Sequence, residues 1–361
     1  MVKIEPQPGI MEIELYEGGA SHLEGLEKVI KLSSNENPFG PSPKAVQAYS
    51  QSGTALHRYP STSHSDLRRA ISTVLSLPFD QIICGVGSDE IISLLCQTFS
   101  GYGDEVIYTE HGFAMYKISA LAAGANPVEV KETNRTTDIR KIIDSCNENT
   151  KLIFIANPNN PTGTMISLEE IQQLSEEIPK QTLLVLDGAY AEYVDHYDGG
   201  AELVKTCKNI IMIRTLSKIY GLGGMRVGWG FGPKGIIEAL QRVRGPFNLS
   251  VPALCVAEEA IYDQDYIEKC KEENNNTRDW LIERLRGLGL RCDASFTNFV
   301  LPQFETQLQA ELCDTYLQSK GFIVRRVASY NLPQFLRITV GDRKTCEKLL
   351  KVIEEFLVGQ K

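Results

Sequence analysis

Lys218 is the residue around which a chemistry can be built. It lies in Arg214-Thr215-Leu216-Ser217-Lys218-Ile219-Tyr220-Gly221-Leu222-Gly223-Gly224-Met225-Arg226-Val227-Gly228-Trp229-Gly230, directly after the apolar run Asn209–Ile213. That run reads as a buried strand. The glycines let backbone approach a bound group closely, Thr215 and Ser217 bring hydroxyls, and Arg226 brings a planar fork suited to phosphate. Lys218 is left as an amine nucleophile able to form a Schiff base. A solvated lysine beside a flexible turn satisfies the spacing equally. A dinucleotide loop fits less well, because the third glycine of that fingerprint is misplaced and a strand, not a helix, follows.

Other chemistry-bearing residues fall at strand ends or in glycine turns. Asp187 closes the apolar run Thr182–Leu186, and Tyr190 follows three residues later. Ligand sites of open α/β sheets lie at the carboxyl ends of strands. Gly87, Ser88 and Asp89 lead from the short strand Ile82–Cys84 into an amphipathic helix, whose N-terminus suits a phosphate or simply carries an ordinary acidic cap. Arg337 sits inside the apolar run Phe335–Gly341, either in a structural ion pair or as a clamp on a substrate carboxylate or phosphate.

Composition excludes several classes of function. The 361 residues are 42% hydrophobic and 23% charged, with a net charge of -9. That charge argues against general binding to nucleic acid or an anionic membrane, and leaves room for an anionic small substrate. No apolar run is long enough for a span, and the N-terminus lacks a signal-peptide core. Nine scattered cysteines without a C-x-x-C pair suggest free thiols in a reducing, cytoplasmic setting. The five histidines show no ligand spacing, so no metal site is expected.

The elements that must position these residues alternate between strand and helix. After an irregular start, Ser33-Ser34-Asn35-Glu36-Asn37-Pro38-Phe39-Gly40-Pro41 is turn chemistry, and a first helix opens near Pro43. A Ser-x-x-Asp pattern at Ser63 predicts the next helix start, and Ser167 with Glu170 forms a capping box. Strands are expected at 105–108, 127–130 and 151–156, the last running into Asn157-Pro158-Asn159-Asn160-Pro161-Thr162-Gly163. The break at Arg244–Ser250 marks a domain boundary, and the polar stretch Lys271–Thr277 reads as a solvated face. The expected layout is an arm at 1–44, a large domain at 45–250 and a smaller α/β domain at 251–361.

The lysine run resembles the Schiff-base motif of fold-type-I, pyridoxal-phosphate-dependent aminotransferases, and more narrowly their histidinol-phosphate branch. The likeness covers nearly the whole chain, including Ser33–Pro43, Asn157–Gly163, Asp187–Tyr190 and Phe335–Gly341. It implies an α/β fold with a mostly parallel central sheet flanked by helices, a smaller C-terminal domain, and pyridoxal 5'-phosphate as cofactor. It assigns Gly87, Ser88, Asp89, Thr215, Ser217 and Arg226 to the cofactor phosphate and Phe113 to its ring face. Asn160 and Tyr190 go to its phenolic oxygen, Asp187 to the ring nitrogen, and Lys218 to the covalent link and proton transfer. Tyr59 is expected to reach the cofactor of a second subunit, which requires a homodimer. Tyr16, Asn37, Arg325 and Arg337 are expected at the substrate, with Arg326 open.

Many relatives carry Asp-Glu-Ala-Tyr where this chain has Asp187-Gly188-Ala189-Tyr190. The activity implied is transamination between L-histidinol phosphate and 2-oxoglutarate. Aromatic amino acids or prephenate are alternative substrates on the same scaffold. Threonine-phosphate decarboxylation is a lyase alternative, and a non-enzymatic pyridoxal-phosphate sensor a further one.

Overall fold

The computed structural model describes residues 4–15, 18, 20, 22, 23, 25 and 28–359. A short strand, β1 (Ile30–Lys31), belongs to the arm. Seven strands then build the large sheet: β2 (Ile82–Gly85), β3 (Glu105–Thr109), β4 (Asn126–Val130), β5 (Thr150–Ala156), β6 (Leu183–Asp187), β7 (Ile210–Thr215) and β8 (Gly228–Phe231). Their order is β2-β8-β7-β6-β5-β3-β4. The run from β7 to β4 is parallel, and β8 lies antiparallel to both its neighbours. Strands β6 and β7 are buried along their whole length, as expected for β-branched and leucine-rich runs covered by helices on both faces. Because β5, β6 and β7 run the same way, the segments after Ala156, Asp187 and Thr215 emerge along one edge of the sheet.

Helix starts follow local chemistry in most places. Ser42 accepts from the Ala45 N–H with Pro43 in the first turn, and Ser167 and Glu170 form the reciprocal capping box. The start expected at Ser63 lies at Ser65 instead. His64 sits before it in the left-handed region (φ 49°) with no side-chain cap, while Ser63 hydrogen-bonds Ser61.

The smaller sheet comprises β9 (Arg291–Cys292), β10 (Phe299–Val300), β11 (Pro302–Gln303), β13 (Arg325–Val327) and β14 (Leu332–Thr339), the last pairing antiparallel with β10, β11 and β13. Between them, β12 (Phe322–Ile323) pairs in parallel with β1, so the arm joins this half of the molecule. Leu32 is buried in the same core as Leu285, Val300, Leu336 and Ile353.

The second core begins well beyond residue 251. Helix Val251–Tyr262 buries Ala253, Val256, Ala257 and Ala260 in the core of the large domain, against helix Pro43–Ser52. Helix Gln264–Gly287 passes from one core to the other, with Ile267 and Cys270 in the first and Leu281 and Leu285 in the second. The break at Arg244–Ser250 is a turn within the large domain, held by Asn248 on Glu90 and Arg244 on the Thr62 carbonyl. The polar stretch Lys271–Thr277 is likewise no simple solvated face. Asn274 and Thr277 are buried where the halves meet, and Asn275 donates to the Tyr193 carbonyl.

All nine cysteines are free thiols. Burial pushes Cys84 and Cys96 up to about 12, which keeps them unreactive. Among the described residues, no helix is long and apolar enough to cross a membrane, and no cluster of three or more His, Cys, Asp or Glu could hold a metal ion.

Candidate active site

A cavity of about 270 Å³ opens at the carboxyl edge of the large sheet, between the two domains and the arm. One end is a cradle of backbone N–H groups and hydroxyls. β2 turns through Val86 into helix Gly87–Phe99, with Gly87 at φ +77°. The antiparallel strand β8 brings Gly228 so close that a Cβ there would lie 2.3 Å from the Ser88 nitrogen. A Cβ at Gly87 would lie 2.6 Å from Arg226 Nη2. Both glycines are therefore required by close approach. From the end of β7, Thr215 Oγ1 donates to Ser217 Oγ (3.0 Å), which also accepts from Arg226 Nη1 (3.1 Å). Arg226 Nη2 holds Asp89 at 3.0 Å. A carboxylate oxygen only accepts, so the Asp89 side chain serves Arg226, and only its backbone N–H is available to an anion.

Lys218, Asp187 and Tyr190 line the middle of the cavity. Burial, then the nearby Arg337 charge, lower the Lys218 amine to about 8. Its only hydrogen bond is a long one, 3.5 Å to the Ser34 carbonyl, among those found for the described residues. Asp187 is 4% exposed, and desolvation lifts its carboxyl to about 6. Two donors restrain that shift: the Tyr116 hydroxyl at 2.8 Å and the Ala189 N–H at 3.1 Å. The Tyr190 hydroxyl accepts from Asn35 Nδ2 (2.8 Å), and burial pushes its pKa up to about 12.

Phe113 and Asn160 also line the cavity, from the loops after β3 and β5. Asn160 Oδ1 accepts from Arg337 Nη1 (2.5 Å), which leaves its Nδ2 as a donor toward the cavity contents. Arg337 is 7% exposed on β14 and also donates to the Ser33 carbonyl (2.7 Å). Arg325 pairs with Arg337 across β13 and β14, lines the cavity and donates to the Gly18 carbonyl (2.9 Å). Arg326, next along the strand, points the other way and pairs with Glu311.

Asn37 is not brought to the cavity. Its amide donates to the Ile219 carbonyl (2.6 Å) and the Cys270 sulfur (3.4 Å), bracing the lysine segment from outside. Asn35, two residues earlier, takes the position in the cavity, and sequence pattern alone did not separate the two asparagines. Tyr59 is 82% exposed, stacked on Phe247 and away from its own chain's cavity. Tyr16 lies outside the described residues. Tyr116 was also missed, since nothing in Met115–Ala122 marks a phenol aimed at Asp187; its spacing three residues after Phe113 is the one available signal. Tyr330 completes the wall from the small domain.

These donors fit pyridoxal phosphate. A helix N-terminus with Ser88, Thr215, Ser217 and Arg226 matches a phosphate, and the glycine-lined cradle has no room for side chains in its place. A buried carboxylate suits a ring nitrogen, and a lysine amine near neutrality suits an aldehyde.

Comparison with known proteins agrees with this geometry. Residues 27–353 match the family described as aminotransferase class I and II. The histidinol-phosphate aminotransferase of Ruegeria sp. (strain TM1040) is 56% identical over 359 residues, covering 99% of each chain. That of Paracoccus denitrificans (strain Pd 1222) is 56% identical over 354 residues, covering 98% of this chain and 96% of its own. Among solved structures, histidinol-phosphate aminotransferase from Sinorhizobium meliloti in complex with pyridoxal-5'-phosphate superposes with a TM-score of 0.90 at 25% identity, over 98% of this chain and 97% of that one. Aspartate aminotransferase from Thermus thermophilus with maleate shares the fold, with a TM-score of 0.79 at 22% identity, over 91% of this chain and 92% of that one. On the family match and these near-full-length relatives, the chain belongs to the class I and II aminotransferases.

Proposed function

We propose that this chain binds pyridoxal 5'-phosphate and transfers the amino group of L-histidinol phosphate to 2-oxoglutarate, giving imidazole acetol phosphate and L-glutamate in histidine biosynthesis. One observation carries the mechanism: the Lys218 amine, lowered to about 8, shares a cavity with Asp187, Arg226 and Arg337. The names of the 56%-identical relatives carry the choice of substrate.

When bound, the cofactor supplies an aldehyde for amines and a ring that withdraws electrons from the substrate α-carbon. The chain does the rest. Ser88, Thr215, Ser217, Arg226 and the backbone N–H groups at Gly87 to Asp89 hold the phosphate, and Phe113 covers the ring face. Asp187, shielded from water and fed by Tyr116, holds the proton on the ring nitrogen. Asn160 and Tyr190 face the phenolic oxygen. Lys218, neutral once released, removes the α-proton and returns it on the neighbouring carbon, base and then acid on one amine.

Arg337 and Arg325 take the substrate phosphate in one half-reaction and the carboxylates of 2-oxoglutarate in the other. The working unit is a homodimer, with the exposed Tyr59 reaching the cofactor phosphate of the second subunit. Free thiols throughout the chain support a cytoplasmic setting.

The test is a donor panel. Purified protein mixed with histidinol phosphate should convert its cofactor to the amine form faster than with phenylalanine. Carbon dioxide release from threonine phosphate would replace this reading with the lyase, and conversion by no donor would replace it with a sensor. Borohydride reduction followed by peptide mass spectrometry should place the cofactor on Lys218. A label on any other residue would overturn the mechanism.

A further inference from the structure

Gly188 departs from the Asp-Glu-Ala-Tyr pattern, and the space beside it is filled by a side chain from another strand. Arg214, on β7, is 5% exposed and runs beneath the turn that carries Asp187 and Tyr190. A Cβ on Gly188 would lie 2.9 Å from Arg214 Cδ. At the far end, a Cβ on Gly199, itself at φ +73°, would lie 2.2 Å from Arg214 Nη1. Two glycines thus form the walls of a slot for one arginine. The guanidinium then ties down what surrounds it. Nη2 and Nε reach Glu192 Oε1 at 2.8 and 3.2 Å, and Nη1 donates to the Asp198 carbonyl at 3.2 Å. Both partners of the pair are nearly excluded from solvent, at 6% and 9% side-chain exposure.

Neither charge lines the cavity. A buried pair is poor evidence for net stability, since desolvation offsets its attraction, so a role in fixing geometry is the better account. The segment it fixes is short and functional. Gly188 N–H donates to the Ile213 carbonyl (2.9 Å), the Ala191 N–H returns to Gly188 (3.0 Å), and Glu192 follows Tyr190 by two residues. One end of that segment rests on the arginine stem and the other is held by its fork.

We propose that Arg214, Glu192 and Gly188 form a positioning device, in which the buried ion pair clamps the Asp187–Tyr193 turn to the strand leading to Lys218 and sets where Asp187 and Tyr190 meet the cofactor. This rests on the reading that Lys218 carries pyridoxal phosphate. Glu192→Gln keeps the shape of the side chain and removes its charge, leaving the buried guanidinium without its counter-charge.

The test compares the visible absorbance band of bound cofactor across pH, together with kcat and KM, in parent and Glu192→Gln holoenzymes. The band midpoint should move by at least half a pH unit. kcat should fall by about tenfold or more, as for sub-ångström displacement of catalytic groups, while KM for the amino donor stays within about threefold because Arg337 and Arg325 are untouched. A variant with parental midpoint and kcat overturns the inference, whatever its melting temperature. Should Glu192→Gln fail to fold, Gly188→Ala decides. Its backbone is not in the left-handed region, so the added methyl meets chiefly the arginine stem, and it should move the midpoint and kcat in the same way. A parental midpoint and kcat in that variant overturn the inference equally. Absence of any Lys218-linked band in the parent would instead remove the functional reading beneath it.

Discussion

Replacing Asp187 by asparagine should make the cofactor-free chain more stable while abolishing its activity. The carboxyl is 4% exposed, and burial raises it from the ordinary 3.8 to about 6. At about 1.4 kcal/mol for each tenfold in proton affinity, holding it ionised costs the fold about 3 kcal/mol above pH 6. The sign follows from proton counting. Between pH 3.8 and about 6 the native chain binds more protons than the unfolded one, so stability present below 3.8 is lost as pH rises through about 6.

Asparagine is nearly isosteric and keeps both contacts. Its Oδ1 can accept from the Ala189 N–H, and its Nδ2 can donate to the Tyr116 hydroxyl, which reverses its role. For a chain of 361 residues the gain corresponds to about 4 °C in melting temperature. Calorimetry of cofactor-free parent and Asp187→Asn at pH 7.5 and pH 4 measures it. The variant should melt higher at pH 7.5, with the difference nearly gone at pH 4. Equal melting at pH 7.5, or a gain that grows toward acid, would refute the claim that desolvation dominates at this carboxylate.

Other outcomes follow from the same geometry. Capture of pyridoxal phosphate by the cofactor-free chain should speed up about tenfold per pH unit below about 8 and level off above it, as the Lys218 amine loses its proton; stopped-flow absorbance measures this. Arg337→Lys loses the two-pronged grip and should raise KM for 2-oxoglutarate by about 10- to 100-fold, about 1.4–3 kcal/mol, with Arg326→Ala within about twofold of the parent because Arg326 faces Glu311. Gly228→Ala would drive a methyl to 2.3 Å from the Ser88 nitrogen, and equilibrium dialysis should show pyridoxal phosphate affinity reduced by at least about tenfold, the cost of disturbing a preorganised anion site.

Much of the large domain was legible because its signals are local. Continuous apolar runs gave β5, β6 and β7, and each reactive segment directly follows one of them, so Asn160, Asp187 and Lys218 could be placed at strand ends before any contact was known. The hidden features depend on distance in space. The Arg244–Ser250 break looks like a linker by composition, yet Asn248 and Arg244 tie it back to Glu90 and Thr62. Asn35 and Asn37 differ in no local property. Only the pairing of β1 with β12 turns the first toward Tyr190 and leaves the second against Ile219. Tyr116 escaped notice for the same reason, because its partner Asp187 is 71 positions away.

The arm has a practical consequence for anyone trimming or dividing this chain. Asn35 bonds Thr339 in one half of the molecule and the Tyr190 hydroxyl in the other, while Ser33 and Ser34 offer their carbonyls to Arg337 and Lys218. A fragment starting at the first long helix would therefore lose a seam joining both lobes, as well as an edge strand of the second. Tags and fusions are better carried at the far terminus, beyond helix Arg343–Gly359, whose last residues make no contribution to the cavity.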